Sequence, residues 1–460
     1  MTAPASSSSG RAGDRPTGPP AAGPAPRALR VEPAWTRARA SVWGVLCALA
    51  MLLVGAWAGR ADVAVIGAPV VVWGVWCWAR RPQGDVEVRL VADDSLSPAG
   101  ELRSSARIEV PAGTVAVAIG LRRNNRTQSR ALVRVRDTVR DVPLVVHTVR
   151  TGPQPVAEVD ALALGPGCAS VSEGADPATG EALVLPGVRP LTSLPLPPRL
   201  RGLSGGHESR RPGEGGGLRD VHPYAPGDRL RRIDWRVTAR RSPELRELYV
   251  RREHALAEAV VMLVVDSRDD VGPDARTWGG WSRTRAQDPT SLDLARTAAA
   301  SLAQAYLAQG DRVGLDDLGA LRRPLPPGGG RRQLDRVRSA LALTRPEGDP
   351  VRRTRAPQLP SGALVLVFST FLDDQAAHAA AQWRAAGHRV VAVDVLPTVR
   401  EHLLNDREHL ALRFVRLART DRLAALADAD VELVSWRDDP AVTLAGLARR
   451  AQRRAGAGAR

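Results

Sequence analysis

Gly213 to Arg241, GEGGGLRDVHPYAPGDRLRRIDWRVTARR, is the densest run of chemically competent side chains in this protein. A glycine run leads into a turn at Tyr224-Ala-Pro226-Gly227-Asp228, followed closely by Arg232, Asp234, Trp235 and Arg240. His222, Asp228 and Asp234 are residue types used in general acid–base catalysis. However, no serine or cysteine stands in a nucleophile-elbow context, and the histidines lack ligand spacing. No catalytic residue is assigned, and the chain reads as a non-enzyme. What the segment does offer is guanidinium, carboxylate and indole groups suited to a brace or a docking surface. Pro226-Gly227-Asp228 reads as a turn in which Asp228 caps a helix starting near Arg229. Arg232 and Arg240 are expected to pair with Asp228, Asp234 or Glu244. They would hold the preceding linker against the next domain, with Trp235 as the apolar anchor. A triple glycine at 328 to 330 has no Gly-Lys-Ser/Thr ending, so it reads as a turn between sheet and helix rather than a phosphate loop.

Composition limits the partners. The chain has 65 basic and 49 acidic residues, a net charge of +16, and every basic side chain is arginine. In so Ala-rich a chain, this reads as the mark of a GC-rich genome rather than of selection for phosphate contacts. The charge is spread along most of the length, whereas a dedicated nucleic-acid binder concentrates it, so no nucleic acid is expected. Cys47, Cys77 and Cys168 give no metal or disulfide framework.

The elements that must position these groups fall into five parts. Residues 1–40 are rich in Ala, Pro, Ser and Gly and read as a disordered tail. Residues 41–80 hold two uncharged apolar runs, 42–58 and 63–79, separated by Gly59-Arg60-Ala61-Asp62. As helices each would cover about 26 Å, and tryptophans flank them as interfacial anchors do. Uninterrupted apolarity and flanking arginines favour a transmembrane hairpin over a pair of buried core helices. Arginine counts place both ends of the hairpin, and all later domains, in the cytoplasm of a multi-pass membrane protein. Residues 85–197 alternate with period two between Gly, Pro, Asn and Asp turns, including Asn124-Asn125, and read as an antiparallel β-sandwich. Repeated prolines from Pro186 to Pro198 mark an extended linker. Residues 198–257 carry the segment described above. From 258 to 455 strands and helices alternate, as in a parallel, doubly wound α/β domain. Its strands fall at 259–265, 312–315, 364–368, 390–393 and 431–434. Its helices run from about Pro289 with Asp288 as N-cap, over 373–386, and near 418–428 and 440–454.

Tyr224-Ala-Pro-Gly-Asp228, Arg232-Ile-Asp-Trp235 and Ala239-Arg240, followed by an apolar strand ending in Asp266, resemble the domain of unknown function 58 family. Gly213-Glu-Gly-Gly and Arg219-Asp220 fit the same pattern, as does the order of parts. The resemblance implies that the α/β domain is von Willebrand factor A-like. It also implies a membrane-anchored adaptor that partners a MoxR-type AAA+ ATPase and client proteins in assembly or maturation.

Such a domain often holds Mg²⁺ through an Asp-x-Ser-x-Ser run, a threonine and a second aspartate. Here Asp266 is kept, but Arg268 and Asp270 stand in place of the serines. The Gly328–Arg331 loop supplies no threonine, and Thr370 stands where the second aspartate is expected. Asp266, Asp269 and Asp270 could still gather a cation, but Arg268 opposes one. The site therefore reads as degenerate, with no metal or other cofactor. Two alternatives to a non-enzymatic scaffold remain: an Arg-rich nucleic-acid-binding membrane protein, and a metal-dependent adhesion protein with its domains outside the cell.

Overall fold

Two apolar helices, α1 (Arg39–Trp57) and α2 (Ala61–Ala79), come first after a short strand. The computed structural model describes residues 35–92, 100–123, 126–202, 205–279, 284–347 and 355–457. Both helices are long and apolar enough to cross a bilayer, and only 11% of each apolar window is buried. Core helices would be covered, so the exposure favours a membrane anchor. The helices touch through small residues: a Cβ at Gly67 would lie 2.4 Å from the Ala48 carbonyl oxygen, and one at Gly55 would lie 2.6 Å from the Ala64 nitrogen. Arg37 and Arg81 stack on Trp78, and Arg80 on Trp76, at 4.5–4.7 Å. The expected tail is corrected at its end. Trp35–Arg37 form a strand, β1, paired antiparallel with Ser170–Ser172; residues 1–34 lie outside the described residues.

Next come β2 (Glu87–Ala92), β3 (Glu101–Glu109), β4 (Ala116–Arg123), β5 (Arg126–Arg134), β6 (Val139–His147), β7 (Gly152–Pro155), β8 (Glu158–Leu164), β9 (Ser170–Ser172) and β10 (Glu181–Val184). One sheet runs β2-β3-β6 and the other β1-β9-β8-β4-β5, while β7 and β10 pair separately. The alternation of β3 puts Ala106 and Ile108 inward. There they meet Val117 and Ile119 of β4 and Val159, Ala161 and Ala163 of β8 in one core. The Asn124-Asn125 turn lies outside the described residues, between strands that pair up to Arg123 and Arg126.

The proline-rich segment is extended, but it is strapped down rather than free. Tyr306 donates its hydroxyl to the Pro195 carbonyl at 2.7 Å, Arg389 donates to Leu196 O at 2.8 Å, and Leu194 is buried in the α/β core. Prolines lack an N–H, so the α/β domain holds this strap through its carbonyl oxygens and leucines.

Two long strands, β11 (His207–Pro223) and β12 (Tyr249–Ala257), form an antiparallel arm with register shifts through the glycine run. Between them lies the short helix α3 (Trp235–Arg241). The main sheet contains β13 (Val260–Val265), β14 (Arg312–Asp317), β15 (Leu325–Gly328), β16 (Leu364–Ser369), β17 (Arg389–Asp394) and β18 (Glu432–Ser435). Their order is β15-β14-β13-β16-β17-β18. All neighbours are parallel except β15, which runs antiparallel on the β14 edge. The purely parallel expectation fails there, because Leu325–Gly328 returns along β14 before the turn at Gly329-Gly330.

Helices α4 (Ser291–Ala308), α5 (Gly330–Leu343) and α8 (Pro440–Ala457) cover one face of the sheet, around Leu263, Leu302, Tyr306 and Leu341. Helices α6 (Gln375–Ala385) and α7 (Asp406–Asp428) cover the other, around Val365, Val367, Trp383 and Leu426. Burying each such leucine contributes about 2 kcal/mol. The α4 cap is Thr290, in a capping box with Asp293; the expected cap, Asp288, instead pairs with Arg400 at 2.6 Å. Helix α7 begins twelve residues before the expected 418. Its added turns leave Leu410, Phe414 and Leu417 exposed at i, i+4 and i+7.

Candidate functional site

The order of the sheet reverses between β13 and β16, and the crevice at their carboxyl ends is where open α/β sheets bind ligands. The chain emerges from β13 into Asp266-Ser-Arg-Asp-Asp270 and from β16 into Thr370-Phe-Leu-Asp373. Arg268 fills the crevice. Its Nε and Nη2 donate to the two Asp266 oxygens at 2.8 Å each, and Nη1 and Nη2 donate to Asp373 at 2.6 and 2.9 Å. Only 3% of the Arg268 side chain is exposed. Burial works against the charged guanidinium, but the hydrogen bonds and charges of Asp266 and Asp373 outweigh it and raise its pKa.

The surrounding groups are also committed. Ser369 donates to Asp266 Oδ2 at 2.7 Å, Ser267 donates to Asp317 at 2.6 Å, and Thr370 reaches Asp269 at 3.4 Å. Asp270 turns away to Arg150 at 3.4 Å. Arg419 joins Asp394 at 2.6 Å to the Thr370 carbonyl at 2.8 Å. Burial, reinforced by neighbouring carboxylates, raises the pKa of Asp269; burial likewise raises that of Asp317. A divalent cation does not fit these residues, because a guanidinium with carboxylates on two sides occupies the position such an ion would need. Among the described residues no group of three His, Cys, Asp or Glu side chains is placed to hold a metal.

Sequence reading missed Asp373. The expected carboxylate is displaced three residues past Thr370. Phe371, buried and held at φ 53°, makes the turn that brings it back.

The arm carries the other predicted residues. The base of the arm sits at the opposite, amino edge of the sheet: β12 leads directly into β13, and His207 contacts Asp311 at 3.0 Å. The segment therefore lies at the arm's far end rather than against the preceding linker, the position expected for it. Gly227 has φ 102°, which suits the turn residue. Asp228 does not cap a helix. It closes the turn by accepting from Ala225 N at 3.0 Å, and it faces Arg252 at 3.3 Å and His222 at 3.5 Å. The Ala225 N–H, followed by Arg252 and His222, holds its pKa below the usual aspartate value against a smaller opposing effect of burial.

Asp234 is the helix cap, accepting from Arg236 N and Val237 N at 3.1 and 3.0 Å. Arg232 donates to Gly213 O at 3.1 Å and faces Glu253 at 3.9 Å, across the glycine run. Arg240 is exposed, with no ion pair among the described residues. Trp235 is not an anchor, since 62% of it is exposed, as are Leu230, Leu245 and part of Tyr224. The buried residue of α3 is Thr238, whose hydroxyl accepts from Tyr249 N at 2.9 Å.

Residues 220–413 match the family model described as Protein of unknown function DUF58. Over that span, somewhat less than half of the chain, the protein is similar to the DUF58 family. The DUF58 span takes in both the tip of the arm and the Arg268 crevice, and leaves out the helix hairpin and the β-sandwich. No curated protein matches the chain.

Proposed function

We propose that this protein is a membrane-tethered, non-enzymatic docking protein whose arm tip engages a partner. The carrying observation is that Leu230, Trp235 and Leu245 are exposed on the tip while Asp228, Arg232 and Asp234 complete the tip's own fold. Leu245 is additionally held at φ 53°, a strained conformation for a side chain that is mostly exposed. Trp235 stands among arginines in sequence, and tryptophan and arginine are the residue types enriched in interface hot spots. The apolar stripe on α7 supplies a second exposed face of the same character.

The strand order, with one antiparallel edge strand, supports a von Willebrand factor A-like reading of the α/β domain. The hairpin and its arginine bias support insertion with both ends and the folded domains in the cytoplasm. The DUF58 resemblance points to a MoxR-type AAA+ ATPase as the partner. The test is purification of the full chain from native membranes in ATP, comparing wild type with Trp235→Ala. Wild type is expected to retain the ATPase and the variant to lose it. Repeated absence of any AAA+ ATPase from the wild-type preparation sinks the reading.

A further inference from the structure

We propose that Arg268 is the resident cation of the carboxyl edge: it does without a metal what a divalent ion would do there. This inference is independent of the partner reading, since it concerns the opposite end of the sheet from the arm.

Two carboxylates that emerge from adjacent parallel strands and face one another repel unless a positive charge lies between them. In this fold that charge is covalent. Arg268 lies two residues after Asp266, so its side chain folds back over its own strand end. It then reaches the β16 loop, where the strained turn at Phe371 presents Asp373. Four of its five N–H donors are used on the two carboxylates, and the fork geometry suits two bidentate partners at once. Asp373 also accepts from Gln375 N at 3.1 Å, so the same cation secures the start of α6. Ser369 contributes a hydroxyl to Asp266, as a hydroxyl would contribute to the shell of an ion.

Two consequences follow. The crevice at the switch point is permanently closed and does not respond to Mg²⁺, Ca²⁺ or chelators. A partner carboxylate gains nothing here, because the positive charge is already shared between Asp266 and Asp373. The device differs from a surface ion pair, worth little in water, because the guanidinium is buried and its loss leaves carboxylates facing each other.

The test uses the full chain in detergent or nanodiscs, following thermal unfolding with millimolar MgCl₂ or with EDTA. Wild type is expected to unfold at the same temperature in both. Arg268→Ser is expected to unfold earlier in EDTA and to recover with Mg²⁺ in a saturable way, by on the order of 4 °C. Arg268→Lys, which keeps the charge, is expected to lie closer to wild type than Arg268→Met, which keeps the bulk. A wild type that Mg²⁺ stabilises as much as Arg268→Ser overturns the proposal. So does a folded Arg268→Ser that ignores Mg²⁺. Should Arg268→Ser fail to fold, the Lys and Met variants decide, and a Met variant as stable as wild type overturns the proposal.

Discussion

Arg296 and Thr151 join the β domain to the α/β domain through a buried contact: Arg296 Nη1 donates to the Thr151 carbonyl at 2.8 Å and meets its hydroxyl at 3.0 Å. Thr151 in turn donates its N–H and hydroxyl to Asp293 at 2.7 Å each, and Arg150 faces the other Asp293 oxygen at 2.6 Å. Asp293 is therefore shared between the cap of α4 and the neighbouring domain. The two domains are coupled by this node, not merely connected by a linker.

Asp293→Asn takes from Arg296 its one paired carboxylate among the described residues and leaves Arg150 with Asp270 alone, in a site closed to water. It is expected to cost about 3 kcal/mol, the size found when one member of a buried pair is removed. Urea unfolding of the full chain checks the loss. Proteolysis between 186 and 198 should accelerate in the same variant, since freeing the β domain loosens the strap. A variant as stable and as resistant as wild type would mean that the node carries no load.

Gly152 tests the same junction sterically. Its φ is 83°, and a Cβ there would lie 2.9 Å from Ala342 O and 3.0 Å from the Arg296 guanidinium. Gly152→Ala is expected to destabilise by about 1–3 kcal/mol, through backbone strain and displacement of Arg296. Gly227→Ala is the comparison, because its φ of 102° brings the backbone strain with nothing within 4 Å of the new methyl. The difference in urea midpoint between the two variants isolates the clash.

The carboxyl edge predicts a pH effect of definite sign. Burial and neighbouring carboxylates raise the pKa of Asp269, so folding favours its protonated form. The resulting stability is fully present below the ordinary aspartate value of 3.8 and is lost as pH rises through the folded-state value. Asp269→Asn removes the charge while keeping an acceptor for Thr370. It is expected to be more stable than wild type at pH 7, with the advantage shrinking as pH falls toward 3.8. Thermal unfolding across that range checks it; an advantage that grows on acidification reverses the assignment.

Much of this architecture is legible in the residues. Val260–Val265 and Leu364–Ser369 are continuous apolar runs, so burial on both faces of a sheet can be read from them directly. The helix hairpin is equally plain. The arm is not, because β11 is built on Gly213, Gly215 and Gly216, residues that carry no strand signal. A Cβ at Gly213 would lie 2.3 Å from that of Ala255, and one at Gly216 would lie 2.5 Å from the His254 carbonyl oxygen. The glycines are there because the partner strand passes too close for a side chain. Trp235 misleads for a related reason. An aromatic in a charged turn reads as an anchor, but Thr238 takes the buried place, through a hydroxyl bond to β12 that no periodicity reveals. Asp373 is hidden because the Phe371 turn, and not the spacing, returns it to Arg268.

These contrasts separate folding from recognition on the arm. Thr238 is fully buried and its hydroxyl satisfies the Tyr249 N–H, so Thr238→Val keeps the shape but leaves a buried donor unpaired. The expected cost is about 1–3 kcal/mol, confined to the arm and visible as faster amide exchange over 235–257. Asp234→Ala removes the cap of α3 and is expected to cost about 1 kcal/mol in the same region. Trp235→Ala, by contrast, removes a side chain that rests mostly in water, so stability should stay within about 0.5 kcal/mol of wild type. Amide exchange and thermal unfolding on the three variants distinguish the roles. If Trp235→Ala loosens the arm as much as Thr238→Val does, the indole is holding the fold after all, and loss of partner binding in that variant would no longer identify a docking residue.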